Sequence, residues 1–451
     1  MDDRLLIAGT HSGCGKTTVT CALLSALSAR GIDVASYKCG PDYIDPMFHR
    51  AVLHLPAENL DAFFCGEYPL QAQLAAGNHS LRVIEGVMGY YDGIGTEGTA
   101  STYEIARMTQ TPTILIVNAK GMYTSAGALL QGFARFRADS GIRGVIFNGV
   151  SPMLYDGLAK IARAAGVAPL GCLPYDASLA IGSRHLGLVT ADEVTDLQTK
   201  LQKLGHLAEE HIDLEQILRI ANEAPALAAK PRPLAREIGA TPRIAVARDE
   251  AFCFLYQENL AALSALGAEL CFFSPIHNAS LPERVHGLYL PGGYPELHEE
   301  LLSSNASMRD SIKKAVAQGL PTIAECGGFL YLHDSLDGLP MVGIIPAEAY
   351  KTEKLQRFGY VTLTAKHGNL LCSAGDSIRA HEFHYYESGS CGDGFSAQKP
   401  TGRSWDCIHA TPSLYAGFPH LYFPANIAFA KQFMRKAIDY ASNHTGRDSA
   451  N

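Results

Sequence analysis

The segment Gly9-Thr10-His11-Ser12-Gly13-Cys14-Gly15-Lys16-Thr17-Thr18 decides the fold of the first half of the chain. It follows an apolar run at residues 5–8 and precedes a helical pattern of apolar residues at 17–29. A glycine-rich turn between a strand and a helix directs backbone N–H groups and the positive helix end toward one point, where a phosphate binds. We therefore predict a phosphate-binding loop in a parallel, helix-covered sheet.

The loop supplies a nucleotide site of defined chemistry. Lys16 reaches the terminal phosphates, and the Thr17 hydroxyl is a ligand for Mg²⁺. The usual first glycine is displaced, because Thr10 stands at its position and Gly9 lies one residue earlier. A chance turn is the alternative, but the flanking strand and helix lie where the motif needs them. The predicted ATP-binding residues are Gly13, Gly15, Lys16, Thr17 and Thr18.

Carboxylates follow two of the later strands. Mg²⁺ takes hard oxygen ligands, and one or two carboxylates with waters usually suffice. Asp45 lies in the segment 38–46, and Glu85 lies near the carboxyl end of the strand predicted at 81–87. Carboxyl ends of parallel strands meet at one edge of a sheet, so Thr17, Asp45 and Glu85 are the predicted Mg²⁺ ligands. Asp92 is a further candidate, although Asp42 and Asp92 are equally explained as caps of turns.

A second reactive turn lies in the other half of the chain, at Ala324-Glu325-Cys326-Gly327-Gly328. An apolar strand at 322–325 runs into small residues and then a helical pattern, which places a nucleophile above the sheet. The helix N-terminus is expected to lower the thiol pKa and favour thiolate. The amides of Gly327 and Gly293 are the predicted oxyanion hole. A buried structural thiol is the alternative for Cys326.

A cysteine nucleophile needs a base. The candidates downstream are His381, His384, His409 and His420, and their spacing alone does not choose among them. The segment His-Glu-Phe-His at 381–384 also allows a metal site, but its spacing suits a strand or turn as well as a helix.

Composition sets the remaining limits. A chain of 451 residues exceeds one ordinary core, and the alternation of strands and helices restarts after a proline-rich segment. We predict a synthetase domain at 1–224, a linker at 225–241, a second α/β domain at 242–445 and a tail at 446–451. A net charge of −8 argues against nucleic-acid binding. With no apolar leader or membrane-length run, a cytoplasmic location with reduced thiols is expected.

Four motifs together resemble the cobyrinic acid a,c-diamide synthase family over nearly the whole chain. They are the phosphate loop, Lys-x-Gly-Pro-Asp-Tyr-Ile-Asp-Pro at 38–46, Pro-Gly-Gly-Tyr-Pro-Glu at 291–296 and Glu-Cys-Gly-Gly at 325–328; the stretch 379–385 is also similar. The resemblance implies an N-terminal dethiobiotin-synthetase-like P-loop domain and a C-terminal flavodoxin-like class I glutamine amidotransferase domain.

The resemblance also implies roles. Cys326 matches the glutaminase nucleophile and His420 its base, whereas Asp45, Glu85 and Asp92 match acidic positions of the synthetase site, where phosphoryl transfer takes place. One departure concerns the base. Many class I amidotransferases carry a glutamate two residues after the histidine, where this chain has Tyr422. A Cys-His dyad is therefore the expected description, with the group that orients the imidazole undefined.

The implied reaction uses ammonia from glutamine to amidate the a and c carboxylates of cobyrinic acid, after MgATP has activated each carboxylate as an acyl phosphate. The implied partners are ATP, L-glutamine and a tetrapyrrole polycarboxylic acid, and a homodimer is left open. The same chemistry on hydrogenobyrinic acid or a nickel-sirohydrochlorin is the alternative. A P-loop regulatory ATPase with an inactive C-terminal half is the alternative from another functional class.

Overall fold

The computed structural model of the protein describes residues 2–179, 191–231, 234–236 and 241–445. Contacts between residues divide the chain into two units, Met1–Arg232 and Pro233–Asn451. The predicted tail at 446–451 lies outside the described residues. No helix in the described part of the chain is both long enough and apolar enough to cross a membrane.

The first unit is a parallel α/β sheet. Its strands are β1 (Arg4–Gly9), β2 (Val34–Cys39), β3 (Ala57–Leu60), β4 (Leu81–Glu85), β5 (Thr113–Asn118), β6 (Ile142–Asn148) and β7 (Ala168–Leu173). Its helices are α1 (Lys16–Ala29), α2 (Ile44–Val52), α3 (Glu67–Ala76), α4 (Thr102–Met108), α5 (Ser125–Phe136), α6 (Pro152–Ala164), α7 (Ala191–His211) and α8 (Leu214–Asn222). The predicted α/β class is confirmed for this half.

The order of the strands positions the site. All pairs are parallel, in the order β3-β2-β4-β1-β5-β6-β7. Strands β1, β2 and β4 are buried along their whole length, as expected for a sheet covered on both faces. Because β4 lies between β1 and β2, the carboxyl ends of these three strands are neighbours. The strand predicted at 81–87 ends at Glu85, since Val87 N–H donates instead to the Thr102 hydroxyl.

The second unit contains two sheets. Its strands are β8 (Arg243–Ala247), β9 (Glu269–Phe273), β10 (Gly287–Leu290), β11 (Thr322–Glu325), β12 (His333–Leu336), β13 (Leu339–Pro340), β14 (Ile345–Ala365), β15 (Ser377–Ser388), β16 (Phe395–Gln398), β17 (Ser404–Cys407), β18 (His409–Ala410), β19 (Leu414–Gly417) and β20 (His420–Leu421). Its helices are α9 (Gln257–Ala265), α10 (Glu299–Ser304), α11 (Ala306–Ala317), α12 (Gly327–Tyr331) and α13 (Ile427–Thr445).

One of these sheets carries the predicted α/β layer, and the other is unpredicted. The first has the order β18-β19-β11-β10-β8-β9 and is parallel except for β18. The second follows β13-β12-β14-β15-β20, with β16 paired to β14 and β17 paired to β16, and is largely antiparallel. The sequence did not predict this second sheet, because β14 and β15 carry many exposed polar residues. They therefore lack the apolar runs that mark buried strands.

The beginning of the predicted linker belongs structurally to the first unit. Arg4 donates to the Pro225 carbonyl, Leu227 N–H donates to Asp2, and the buried Ala229 donates its N–H to the Gln71 side chain. These contacts tie the chain down as far as residue 229. The domain boundaries as such stay a prediction.

Candidate active sites

The phosphate loop adopts the conformation that its glycines permit. Gly13 and Gly15 have φ of 80° and 101°, which side chains rarely allow. A Cβ on Gly15 would lie 1.9 Å from Asn148 Nδ2, so that position also needs the missing side chain for space. Gly15 directly precedes α1, and the helix N-terminus therefore opens onto the loop. This is the local geometry that holds a phosphate.

Lys16 lies within the loop and is almost fully buried. Its Nζ donates to the carbonyls of His11 and Met88, at 3.2 and 2.5 Å. Burial lowers the Lys16 pKa, and the nearby Lys38 ammonium acts in the same direction. The ammonium thus sits between the phosphate loop and the segment after β4, where the terminal phosphates of a nucleotide would reach it.

Two of the three predicted carboxylates meet beside this loop. The Thr17 hydroxyl donates to Glu85 Oε1 at 2.7 Å. Lys38 Nζ lies 2.8 Å from the same Glu85 oxygen and 2.5 Å from Asp45 Oδ2. Glu85 is fully buried, and burial raises its pKa to about 7 although Lys38 opposes the shift. The structure therefore brings Thr17, Asp45 and Glu85 into one cluster.

Sequence reasoning missed Lys38, which joins the two carboxylates. The residue lies in β2, with only 5% of its side chain exposed. A lysine in an otherwise apolar strand is the signal that was available, because a buried lysine almost always has a charged partner. Lys38 and Lys16 together give this site two ammonium groups.

Asp92 lies apart from the Asp45 and Glu85 pair. Its Oδ2 accepts the N–H of Gly89 at 3.0 Å. A Cβ on Gly89 would lie 3.1 Å from the Thr10 carbonyl, so this turn packs on the phosphate loop. The cap interpretation suits Asp42, whose Oδ1 accepts the N–H groups of Ile44 and Asp45.

A cavity of about 320 Å³ opens next to Asp92. Aromatic rings dominate its wall: Tyr91 lies 5.3 Å from Tyr103 and 5.0 Å from Phe136, measured between ring centroids. Arg137 also lines the cavity, and its guanidinium lies 5.4 Å from the Phe136 ring. The cavity thus combines flat apolar surfaces, a cation and a position beside the phosphate loop.

Cys326 occupies the strained turn between β11 and α12. Its φ of 46° lies in the left-handed region that residues with side chains avoid, and such strain gathers at functional sites. Its N–H donates to the Gly417 carbonyl at 2.8 Å, which fastens the turn to β19. A Cβ on Gly327 would lie 2.9 Å from Gly293 N. The two predicted oxyanion amides are therefore adjacent.

The expected activation of Cys326 by a helix N-terminus was wrong. Helix α12 has only five residues, and burial raises the pKa of the Cys326 thiol, to which the carboxylates of Glu296, Glu382 and Glu325 add. The Gly327 amide opposes the shift without reversing it. Burial therefore favours the neutral thiol, and a base is needed to remove its proton.

His420 lies against the predicted oxyanion loop. It begins β20, where it pairs with His381 of β15. A Cβ on Gly292 would lie 2.3 Å from His420 Cε1, so the imidazole occupies the space that this glycine leaves. Burial lowers the His420 pKa to about 3, with further lowering by His381 and His384.

The other three histidines occupy different settings. His381 and His384 lie in β15, so the His-Glu-Phe-His segment is a strand. His384 Nδ1–H donates to the Tyr386 carbonyl, and its ring stacks on Phe418 at 3.7 Å. His409 lies in β18, and its Nε2–H donates to the Ser390 carbonyl.

Comparison with known proteins identifies both halves. Residues 5–189 match the CobQ/CobB/MinD/ParA nucleotide binding domain, and residues 243–422 match the CobB/CobQ-like glutamine amidotransferase domain. A solved structure, PurLQS from Thermotoga maritima, covers 45% of this chain and 99% of its own at 16% identity, with a TM-score of 0.34, too distant to bear on function.

Curated relatives match along the full length. Cobyrinate a,c-diamide synthase from Dehalococcoides mccartyi strain CBDB1 is 38% identical over 97% of this chain and 99% of its own. The protein of the same name from Thermoplasma volcanium is 39% identical over 97% of this chain and 98% of its own. The chain belongs to the cobyrinate a,c-diamide synthase family of glutamine-dependent ligases.

Proposed function

We propose that this chain amidates the a and c side-chain carboxylates of cobyrinic acid in cobalamin biosynthesis, with glutamine as nitrogen donor and ATP as activating nucleotide. The observation that carries the proposal is the presence, on one chain, of two sites with complementary chemistry. One is the phosphate loop with Lys16 beside Asp45 and Glu85. The other is the strained Cys326 turn, which lies against the loop at Gly292 and Gly293, with the His420 imidazole packed on the same loop.

In the glutaminase half, Cys326 attacks the side-chain amide of glutamine after His420 has taken the thiol proton. The amides of Gly293 and Gly327 stabilise the tetrahedral oxyanion. His420 then gives the proton to the departing ammonia and activates the water that releases glutamate. Burial raises the Cys326 pKa and lowers the His420 pKa, so it disfavours the charged form of both groups. The proton therefore moves to His420 as the sulfur attacks glutamine.

In the synthetase half, the terminal phosphoryl group of ATP is transferred to a carboxylate of the tetrapyrrole acid. An oxide ion is a poor leaving group, so ammonia displaces phosphate from the acyl phosphate instead. Lys16 and Lys38 offset the negative charge of the transferring group. Asp92, in the turn that packs on the same loop, lines the neighbouring cavity.

The residues present fit a magnesium ion. Glu85 Oε2 is buried without a hydrogen-bond partner among the described residues, and Thr17 and Asp45 supply further hard oxygens nearby. The described part of the chain holds no group of three or more His, Cys, Asp or Glu side chains arranged around a metal, and Mg²⁺ usually takes one or two carboxylates plus phosphates and water. When bound, the ion would neutralise phosphate charge, held by Thr17, Asp45 and Glu85.

The cavity beside Asp92 suits the edge of a tetrapyrrole acid. Tyr91, Tyr103 and Phe136 offer flat apolar surface for a macrocycle, and Arg137 offers a cation for a peripheral carboxylate. Its volume of about 320 Å³ holds only part of so large a molecule. We therefore assign the cavity to one edge of the ring and its side chains.

Mass spectrometry of the products tests substrate and amide count together. The purified chain is incubated with ATP, glutamine and, separately, cobyrinic acid, hydrogenobyrinic acid or nickel-sirohydrochlorin. We expect two amides on cobyrinic acid. Preferential diamidation of either other acid would transfer the assignment to that acid, and no amidated product with any of them would favour the regulatory ATPase alternative.

Two variants separate the two half-reactions. Cys326→Ala should abolish glutamine-driven product while ammonium salts still support it, because only the nitrogen source is lost. Lys16→Ala should abolish both routes, because no carboxylate is activated. Glutamine-driven product from Cys326→Ala would contradict the nucleophile, and amidation without ATP turnover in Lys16→Ala would contradict the acyl phosphate.

A further inference from the structure

The position that orients the base in many class I amidotransferases is Tyr422 in this chain, and its side chain is engaged elsewhere. Tyr422 is buried and packs edge-to-face on Tyr256, with ring centroids 5.2 Å apart. The group that holds the His420 imidazole must therefore come from another element. The structure offers one carboxyl group close to that ring.

That carboxyl belongs to Glu325, the residue immediately before the nucleophile. Glu325 is fully buried, and its Oε2 lies 4.0 Å from His420 Nδ1. The same Oε2 accepts the Tyr289 hydroxyl at 3.0 Å. The other oxygen, Oε1, accepts the N–H of Leu421, the residue after His420, at 3.0 Å. One carboxyl group thus holds the strand that carries the base and faces the imidazole.

A second side chain makes this arrangement rigid. Asn259 donates to the Leu421 carbonyl at 2.8 Å and accepts the Phe423 N–H at 2.7 Å. The chain on the C-terminal side of His420 is therefore held at three backbone groups, the N–H and the carbonyl of Leu421 and the N–H of Phe423. A shift of about 1 Å in a side chain then suffices to bring Glu325 Oε2 within hydrogen-bond distance of Nδ1.

We propose that Glu325 is a positioning residue for His420, taking the place of the glutamate that Tyr422 replaces. Its carboxylate faces Nδ1–H, which fixes the tautomer and leaves Nε2 to accept the proton of the Cys326 thiol. The S–H bond breaks, the Nε2–H bond forms, and the resulting imidazolium is stabilised by the Glu325 charge while the thiolate attacks glutamine. The inference rests on the proposed glutaminase roles of Cys326 and His420.

The electrostatics of the pocket support this role. The titratable groups that face His420 are His381 and His384 from β15, which disfavour a charged imidazole, and Glu325 at the end of β11. Burial raises the Glu325 pKa to about 8, whereas the hydrogen bonds that its two oxygens accept from Leu421 N–H and the Tyr289 hydroxyl act in the opposite direction and favour the carboxylate. A positive imidazolium beside it favours the ionised form, and the two charges stabilise each other when the thiol proton moves.

Glu325→Gln is the deciding variant, because the amide oxygen can still accept the Leu421 N–H while the charge is lost. We expect glutamine-driven kcat to fall about 10²-fold with little change in KM for glutamine, while ammonium-driven amidation stays within about twofold. Alkylation of Cys326 by iodoacetamide should slow and shift to higher pH. Glu258→Gln, at another buried carboxylate of this unit, is the control and should match the wild type.

The outcomes separate this inference from the proposed function. If Cys326→Ala abolishes glutamine use but Glu325→Gln stays within twofold of wild type with an unshifted alkylation profile, the positioning role is overturned and the nucleophile stands. If Cys326→Ala retains glutamine use, the proposed function itself fails. If Glu325→Gln also loses ammonium-driven activity, the Tyr289→Phe variant, which removes the hydroxyl that donates to Glu325 Oε2, provides the test. We expect the pH profile of its glutamine-driven activity to shift to higher pH. An unshifted profile overturns the inference.

Discussion

Replacing Lys38 by methionine removes the cation that two buried carboxylates share in the first unit. Lys38 Nζ lies 2.8 Å from Glu85 and 2.5 Å from Asp45, whose side chains are 0% and 13% exposed. Removing one member of a buried ion pair costs about 3–5 kcal/mol, because the remaining charge is left uncompensated. At about 2–4 °C per kcal/mol for a unit of this size, the transition of the first unit should fall by about 6–20 °C.

The stability that the Lys38→Met variant loses should depend on pH. In the wild type, the Glu85 pKa is about 7, above its ordinary value of 4.5. The folded state therefore binds the proton more tightly, and this group costs stability increasingly as pH rises from about 4.5 to 7. Lys38 lowers this pKa and also that of Asp45. Without the ammonium both carboxyls protonate at higher pH, so the loss should be larger at pH 8 than at pH 5.5.

Calorimetry of the full chain at both pH values measures the effect. Trp405, the single tryptophan of the chain, lies in the second unit, so its fluorescence should report an unchanged transition there. Lys200→Met is the matched control, because it removes an exposed pair with Asp196 in the first unit and should cost about 0.5 kcal/mol or less. A loss below about 1 kcal/mol at pH 8, or equal losses at the two pH values, would refute the reasoning.

Four further changes probe single contacts. Gly293→Ala places a Cβ 2.0 Å from the Ala251 carbonyl, so glutamine-driven turnover should fall about 10²-fold in steady-state assays while ammonium-driven turnover persists. Gly15→Ala, which collides with Asn148, should weaken nucleotide binding measured by calorimetric titration, and unchanged affinity would contradict the phosphate loop. Thr17→Val should raise the Mg²⁺ concentration needed for half-maximal activity, and an unchanged requirement would remove Thr17 from the ion's ligands. Arg137→Met should raise KM for the tetrapyrrole acid about tenfold, equivalent to about 1.4 kcal/mol, without changing KM for ATP; an unchanged KM would exclude the cavity as its site.

Sequence reasoning located the local features well, because each depends on neighbours along the chain. The loop at Gly13 and Gly15 has the strand and helix that its motif requires. The strand at Thr322–Glu325 matches its predicted bounds, since a short apolar run marks a buried strand. The family, the α/β class and the glutamine-dependent chemistry were all available from four motifs.

The electrostatic environment of the site residues could not be predicted from neighbouring residues in the sequence. Whether the Cys326 thiol is lowered in pKa by a helix or raised by burial depends on how deeply the turn is covered, and the structure shows burial prevailing. The second sheet was missed for a related reason, since its strands become recognisable only through their pairing.

The amino-acid sequence by itself determined the phosphate loop, the thiol turn and the family, because these are written in contiguous residues. Only the tertiary structure decided which distant side chains meet. Lys38 reaches Glu85 because β4 inserts between β1 and β2, and Glu325 faces His420 because Leu421, 96 positions away, hydrogen-bonds its carboxyl group. Such contacts follow from strand order and burial, which arise when the whole chain folds and have no signature in local spacing.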